Sequence, residues 1–213
     1  MMKLHKKGLM VVISGPSGVG KGQIKKALFK RKGHNFVYSV SMTTRPPRPE
    51  ERNGVDYFFV DESYFKQKIK ENYFLEYNYF INYYYGTTYR TVTEQLEKGK
   101  EIFLEIDVQG SLQVKKHKIR KDGVFIFVAP PSKECLYKRL KNRNTESEAV
   151  IQERMKKAEE ELLLAHKYDY IVVNDEVENA VDKILAIVVA EHSKIKNSIS
   201  SYFLISEIFK KES

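Results

Sequence analysis

Residues 9–22 read Leu9-Met10-Val11-Val12-Ile13-Ser14-Gly15-Pro16-Ser17-Gly18-Val19-Gly20-Lys21-Gly22, an apolar run that breaks into a glycine-rich loop and a lysine. Gly15, Gly20 and Lys21 satisfy the spacing G-x-x-x-x-G-K, with a strand-like run before them and helix-like Gln23 to Lys32 after them. Each part has a physical task. Glycines let the backbone curl so that successive N–H groups face an anion, the helix start adds partial positive charge, and Lys21 reaches the outer phosphates. Gly15 to Gly22 is therefore read as a phosphate-binding loop. The pattern expects Ser or Thr after the lysine to hold Mg²⁺, but Gly22 and then Gln23 follow, so neither of the next two positions carries a hydroxyl.

Outward from this loop, the most apolar short runs are Leu9 to Ile13, Ile102 to Ile106, Val124 to Ala129 and Tyr170 to Val173, separated by helical patterns. Such runs read as buried strands of a parallel sheet with crossover helices on its faces, an α/β class. The chain of 213 residues is expected to form one domain. Its core comprises about 1–37, 88–131 and 169–197. Two stretches interrupt the alternation. Residues 38–87, rich in aromatics and hydroxyls, look like an antiparallel insertion, with strands at Val55 to Val60 and Phe74 to Phe80 and a helix at Glu62 to Glu71 between them. Residues 132–168 are highly charged and read as two helices joined by Asn142-Arg143-Asn144-Thr145, with Thr145 and Glu148 forming a capping box. A last amphipathic helix runs from Val177 to about Ser193, and 198–213 form a tail with an apolar patch at Tyr202 to Ile205.

Charge is unevenly distributed. Residues 1–49 hold 11 of the 37 Lys and Arg and none of the 28 Asp and Glu, so the net +9 gathers around the loop. A basic field there would draw polyanionic nucleotides. Lys25, Lys26, Lys30 and Lys32 read as the solvated face of the first helix, and no nucleic-acid partner is expected. The single cysteine, Cys135, excludes an internal disulfide or a cysteine-rich zinc site and fits a reducing, cytoplasmic setting. The apolar run after Lys3, Lys6 and Lys7 is too short for export or membrane spanning.

In Ser41-Met42-Thr43-Thr44-Arg45-Pro46-Pro47-Arg48 two arginines flank two prolines. The prolines stiffen the loop and can hold both guanidinium groups toward one target with little entropic loss. A second phosphate is the natural target, with Tyr57 and Tyr85 as phenolic donors. Asp107 follows a buried strand, where α/β folds place ligand-binding groups. Glu105, two residues earlier, points the same way.

The segments GPSGVGKG (15–22), SVSMTTRPPR (39–48), ERNGVDYFFV (51–60), FLEYNYF (74–80), YYGTTY (84–89), FLEIDVQG (103–110), FVAPPS (127–132) and IVVND (171–175) stand in the order and spacing of one family. Over about residues 8–190 the chain resembles the guanylate kinases. The resemblance implies a P-loop sheet with an inserted monophosphate-binding lobe and a helical lid. It implies that ATP binds Gly15, Pro16, Ser17, Gly18, Val19, Gly20, Lys21, Gly22 and Gln23, with Asn174 near the adenine. Arg45, Arg48, Tyr57 and Tyr85 match the residues that grip the GMP phosphate. Glu76 and Asp107 match the carboxylates that recognise guanine, and Ser41 and Thr87 match hydroxyl positions of that site. Guanine offers an N1–H and an exocyclic N2 amine as donors, which fixed carboxylates accept; adenine would leave those carboxylates unpaired.

Lys21, Arg139, Arg143 and Arg154 are the cations expected at the transferring phosphoryl group. Arg143 departs in context, since Asn144 stands where the family has glycine. The expected reaction is ATP-dependent phosphorylation of GMP, and of dGMP, by a monomer or homodimer. Mg²⁺ would be held by ATP oxygens and water, with Asp107 in the outer shell. The alternatives are a catalytically weak guanylate-kinase-like binding module, or a kinase for another small phosphate.

Overall fold

The computed structural model describes residues 8–80, 82–142, 147–195 and Asn197. Its centre is a five-stranded sheet in the order β2-β7-β1-β8-β9, formed by β1 (Met10–Ser14), β2 (Phe36–Tyr38), β7 (Glu101–Glu105), β8 (Gly123–Ala129) and β9 (Tyr170–Val173), with every pairing parallel. The apolar runs form these strands because both faces of the sheet are covered. On β1, Val11 and Ile13 enter one core cluster while Met10 and Val12 enter another. That is the two-residue alternation of a strand, satisfied with apolar residues at both phases. Each such side chain, fully buried, contributes about 1.5–3 kcal/mol.

One face is covered by α1 (Lys21–Lys30) and α7 (Val177–Ser193), which contribute Ile24, Leu28, Val181, Ile184 and Val188 to the first cluster. The other is covered by α3 (Tyr89–Glu97) through Val92 and Leu96, and by Val114 of α4 (Val108–Val114). Because the strands are parallel, their C-terminal ends lie along one edge. The glycine loop and Asn174 follow directly on strands ending there, and Asp107 stands two residues past the end of β7.

A second sheet, in the order β4-β3-β6-β5, comprises β3 (Met42–Thr43), β4 (Phe58–Phe59), β5 (Phe74–Phe80) and β6 (Tyr83–Thr88), with α2 (Glu62–Lys70) beside it. β3, β6 and β5 pair antiparallel, whereas β4 joins β3 in parallel. The strand expected over Val55 to Val60 shortens to Phe58–Phe59. Gly54 takes a left-handed φ of 76°, and the N–H groups of Val55 and Asp56 turn back to the Arg52 carbonyl, which uses the preceding residues in a turn. The β5–β6 register shifts between Phe74 and Glu76, setting Glu76 opposite Thr87 and Asn78 opposite Tyr85.

The charged stretch supplies α5 (Lys133–Lys141) and α6 (Glu148–Leu162), packed through Leu136, Leu140, Ile151 and Met155. Arg143, Thr145 of the expected capping box, and the 198–213 tail lie outside the described residues.

Candidate active site

The loop after β1 is shaped by close backbone approaches. Gly15 has φ 147°, and a Cβ there would stand 2.2 Å from the Val128 carbonyl oxygen. Gly20 has φ 99° as the cap of α1, and a Cβ there would meet the Asn174 amide nitrogen at 2.4 Å. Only glycine meets both demands, a left-handed backbone and no side chain. Lys21 folds over this loop, its ammonium donating to the carbonyls of Gly15 at 2.5 Å and Pro16 at 3.1 Å. Gly22 is different. A Cβ there would find the Glu105 Oε1 at 3.8 Å, an ordinary contact, so space does not exclude a side chain.

The loop is braced from behind. The Val19 carbonyl accepts from the Asn174 amide at 2.7 Å and from Arg139 at 3.1 Å, and Arg139 also reaches the Asn174 carbonyl at 2.9 Å. Asn174 is buried at the end of β9, so its amide nitrogen has exchanged water for a protein acceptor. Arg139, expected at the transferring phosphoryl group, is thus engaged with loop carbonyls in this structure. Arg154 lies half-buried on α6.

Between the loop and the second sheet is a cavity of about 200 Å³ that brings together Lys21, Ser41, Tyr57, Glu76, Tyr85 and Asp107. Thr87 adjoins it through a hydroxyl contact with Ser41 at 3.3 Å. Asp107 is fixed as the N-cap of α4, its Oδ1 accepting from Gly110 N at 2.7 Å, and its Oδ2 accepts from the Asn78 amide. The Tyr57 and Tyr85 rings meet edge to face with centroids 6.1 Å apart. Burial raises the Tyr57 phenol, which keeps it protonated as a donor.

Glu76 is 5% exposed. Burial pushes its carboxyl up to about 7, the Asp107 charge adds to the rise, and donation from Thr87 opposes both. The carboxylates thus lie in the same cavity as the Lys21 cation, a polarity suited to a ligand with a donor-rich ring and an anionic phosphate.

The two arginines are disposed differently. Arg45 is half-buried, donates to both Glu51 oxygens at 2.8 Å, and lies over the Tyr57 ring at 5.6 Å. Arg48 is exposed, and its backbone N–H donates to Glu51 at 2.9 Å. Neither lines the cavity. Sequence reasoning missed Glu51, and it missed Tyr38 and Asn78 on the cavity wall. Asn78 was detectable, since it stands two residues after Glu76 on the same face of a strand. Glu105, also on the wall, pairs with Lys25 at 3.6 Å.

The family model described as guanylate kinase matches residues 7–191. A protein named guanylate kinase from Onion yellows phytoplasma is 56% identical over 206 residues, covering 97% of each chain. One of the same name from Lactobacillus johnsonii is 52% identical, covering 92% of this chain and 95% of its own. Among solved structures, guanylate kinase from Anaplasma phagocytophilum superposes with a TM-score of 0.77 at 29% identity, covering 96% of this chain and 97% of that one. No helix among the described residues is long and apolar enough to cross a membrane.

Proposed function

This chain belongs to the guanylate kinase family, and from that premise we propose how its residues divide the work of moving a phosphoryl group from ATP to GMP. The activity is ATP-dependent phosphorylation of GMP, giving GDP and ADP. The binding-module alternative is not favoured. A phosphate oxygen of GMP attacks the γ-phosphorus of ATP while the bond from that phosphorus to the β-γ bridging oxygen breaks, so no protein nucleophile takes part. The protein's task is alignment and neutralisation of charge.

The observation that carries the residue assignment is the cavity holding Lys21 together with the Glu76–Asp107 pair. In this reading Glu76 and Asp107 accept from the guanine N–H groups. Ser41 and Thr87 complete that edge, and Tyr57 and Tyr85 donate to the GMP phosphate with Arg45 and Arg48. Residues 15–23 wrap the ATP phosphates, and Lys21 swings from the Gly15 and Pro16 carbonyls to the γ-phosphoryl oxygens. Arg154, with Arg143, meets charge on the group in flight. Arg139 and Asn174 support the loop beside the nucleotide base. Residues 38–87 and 132–168 act as the monophosphate lobe and the lid, excluding water that would otherwise intercept the phosphoryl group.

Mg²⁺ belongs to this proposal. Among the described residues there is no group of three or more His, Cys, Asp or Glu able to hold a metal. Mg²⁺ does not require one, since it is commonly bound by one or two carboxylates, substrate phosphates and water. Asp107 already accepts a protein N–H at each oxygen, while Glu105 faces Gly22 at the loop, so Glu105 fits the inner role and Asp107 the outer. When bound, the ion supplies compensation for phosphate charge. A cytoplasmic location and acceptance of dGMP are part of the same reading.

A coupled assay comparing GMP, dGMP, AMP and IMP, run beside Lys21→Ala, tests the proposal. The expected outcome is a strong preference for GMP and dGMP, with turnover of Lys21→Ala lowered at least about a hundredfold and GMP binding retained. Near-normal turnover in Lys21→Ala would refute the loop assignment.

A further inference from the structure

Alternation along β5 turns Glu76, Asn78 and Phe80 toward the cavity, and the register places Thr87 and Tyr85 opposite the first two. Asn78 therefore stands between a carboxylate assigned to guanine and a phenol assigned to the phosphate. Its amide nitrogen donates to Asp107 Oδ2. An ionised carboxylate only accepts, so the nitrogen is the end that must meet Asp107, leaving the amide oxygen as an acceptor. The next residue back is tied as well. Gln113 of α4 accepts from Tyr77 N at 3.1 Å and donates to Tyr77 O at 2.8 Å. The strand carrying Glu76 and the helix capped by Asp107 are thus joined at two successive residues.

We propose that Asn78 is a specificity-determining residue of the GMP site: with its amide nitrogen held by Asp107, it presents its amide oxygen to the exocyclic amine of guanine. The inference rests on the reading of Glu76 and Asp107 as the guanine acceptors. The chemistry is a matter of counting. The guanine edge carries three N–H hydrogens, one on N1 and two on N2, and Glu76, Asp107 and the Asn78 oxygen provide three acceptor groups. Hypoxanthine keeps the N1–H and lacks the amine. An acceptor aimed at N2 is therefore felt by GMP and not by IMP, whereas general loosening of the pocket would weaken both.

The test measures GMP and IMP binding by calorimetry without ATP, and kcat and KM with ATP, for the whole enzyme carrying Asn78→Leu, nearly isosteric, or Asn78→Ala. GMP affinity is expected to fall about tenfold and IMP affinity by less than about twofold, as for loss of one hydrogen bond. The KM for GMP should rise in step with the lost affinity, while the KM for ATP stays close to that of the unmodified enzyme. Equal weakening of GMP and IMP, or no weakening of GMP, overturns the proposal, and Asn78→Ala decides if Asn78→Leu does not fold. Asp107→Asn is measured alongside. If it leaves GMP affinity intact, the guanine-site reading falls and the role of Asn78 with it. If it abolishes GMP binding while the Asn78 variants do not separate GMP from IMP, only the role of Asn78 falls.

Discussion

Glu51 holds Arg45 with both carboxylate oxygens, each 2.8 Å from the same terminal guanidinium nitrogen. Burial raises the Glu51 carboxyl, but the Arg48 N–H and the Arg45 guanidinium outweigh it and hold the group below its ordinary range. For Arg45, burial opposes the charge and Glu51 more than restores it. The pair therefore keeps the guanidinium charged and fixed beside the Tyr57 ring before any phosphate arrives, which limits the ordering cost of binding. Glu51→Gln should raise the KM for GMP about threefold to tenfold with kcat within about twofold, and Arg45→Ala should raise it about a hundredfold, measured at saturating ATP.

The raised Glu76 carboxyl should make stability depend on pH, and GMP binding too if Glu76 takes the role proposed for it. Its carboxyl rises from 4.5 to about 7 in the folded chain. A raised folded pKa gives stability that is fully present below the unfolded value and lost as pH climbs through the folded one. This group should therefore remove roughly 3 kcal/mol between about pH 4.5 and 7. If Glu76 accepts from guanine as proposed, GMP needs its ionised form, and affinity should rise about tenfold from pH 6 to above 7.5, with a proton released on binding. Urea melts and calorimetry across this range, repeated on Glu76→Gln, check it. The variant should flatten the carboxylate's share of both profiles and leave that of the GMP phosphate.

The core and the loop were legible because their constraints are local. Met10–Ser14 is apolar at both phases, so it reads as a two-sided strand without knowledge of its partners, and Gly15 to Lys21 carry phosphate chemistry in contiguous sequence. What escaped depends on distant partners. The face on which Asn78 stands could be read from Glu76, but its bond to Asp107 spans 29 residues, and the bond from Arg139 to the Val19 carbonyl spans 120. Val55 to Val60 misled in the opposite direction. Its composition favours a strand, but Gly54 and the Arg52 carbonyl claim its first half for a turn.

Arg139 offers a clean distinction between support and chemistry. Its bonds to the Val19 and Asn174 carbonyls join α5 to the loop and the end of β9. If bracing is its main task, Arg139→Met should lower the melting temperature by about 2–6 °C and raise the KM for ATP several-fold, with a smaller loss in kcat. A large loss confined to kcat would assign it to the transferring phosphoryl group. Steady-state kinetics and thermal melts of this one variant separate the two.

The absent hydroxyl can be restored at a position that accepts it. Gln23 is exposed, whereas Gly22 faces Glu105 with a Cβ-sized space beside it, and Gly22 lies in α1 outside the left-handed region. Gly22→Ser should therefore stabilise the helix by about 0.5 kcal/mol, raising the melting temperature by about 1–2 °C. A serine hydroxyl beside Glu105 would add the ligand that phosphate loops ordinarily provide. The Mg²⁺ concentration giving half-maximal rate at fixed ATP should then fall several-fold. A higher melting temperature with an unchanged Mg²⁺ requirement would mean that Glu105, ATP oxygens and water already satisfy the ion, and that the Gly22-Gln23 departure costs the enzyme helix stability alone.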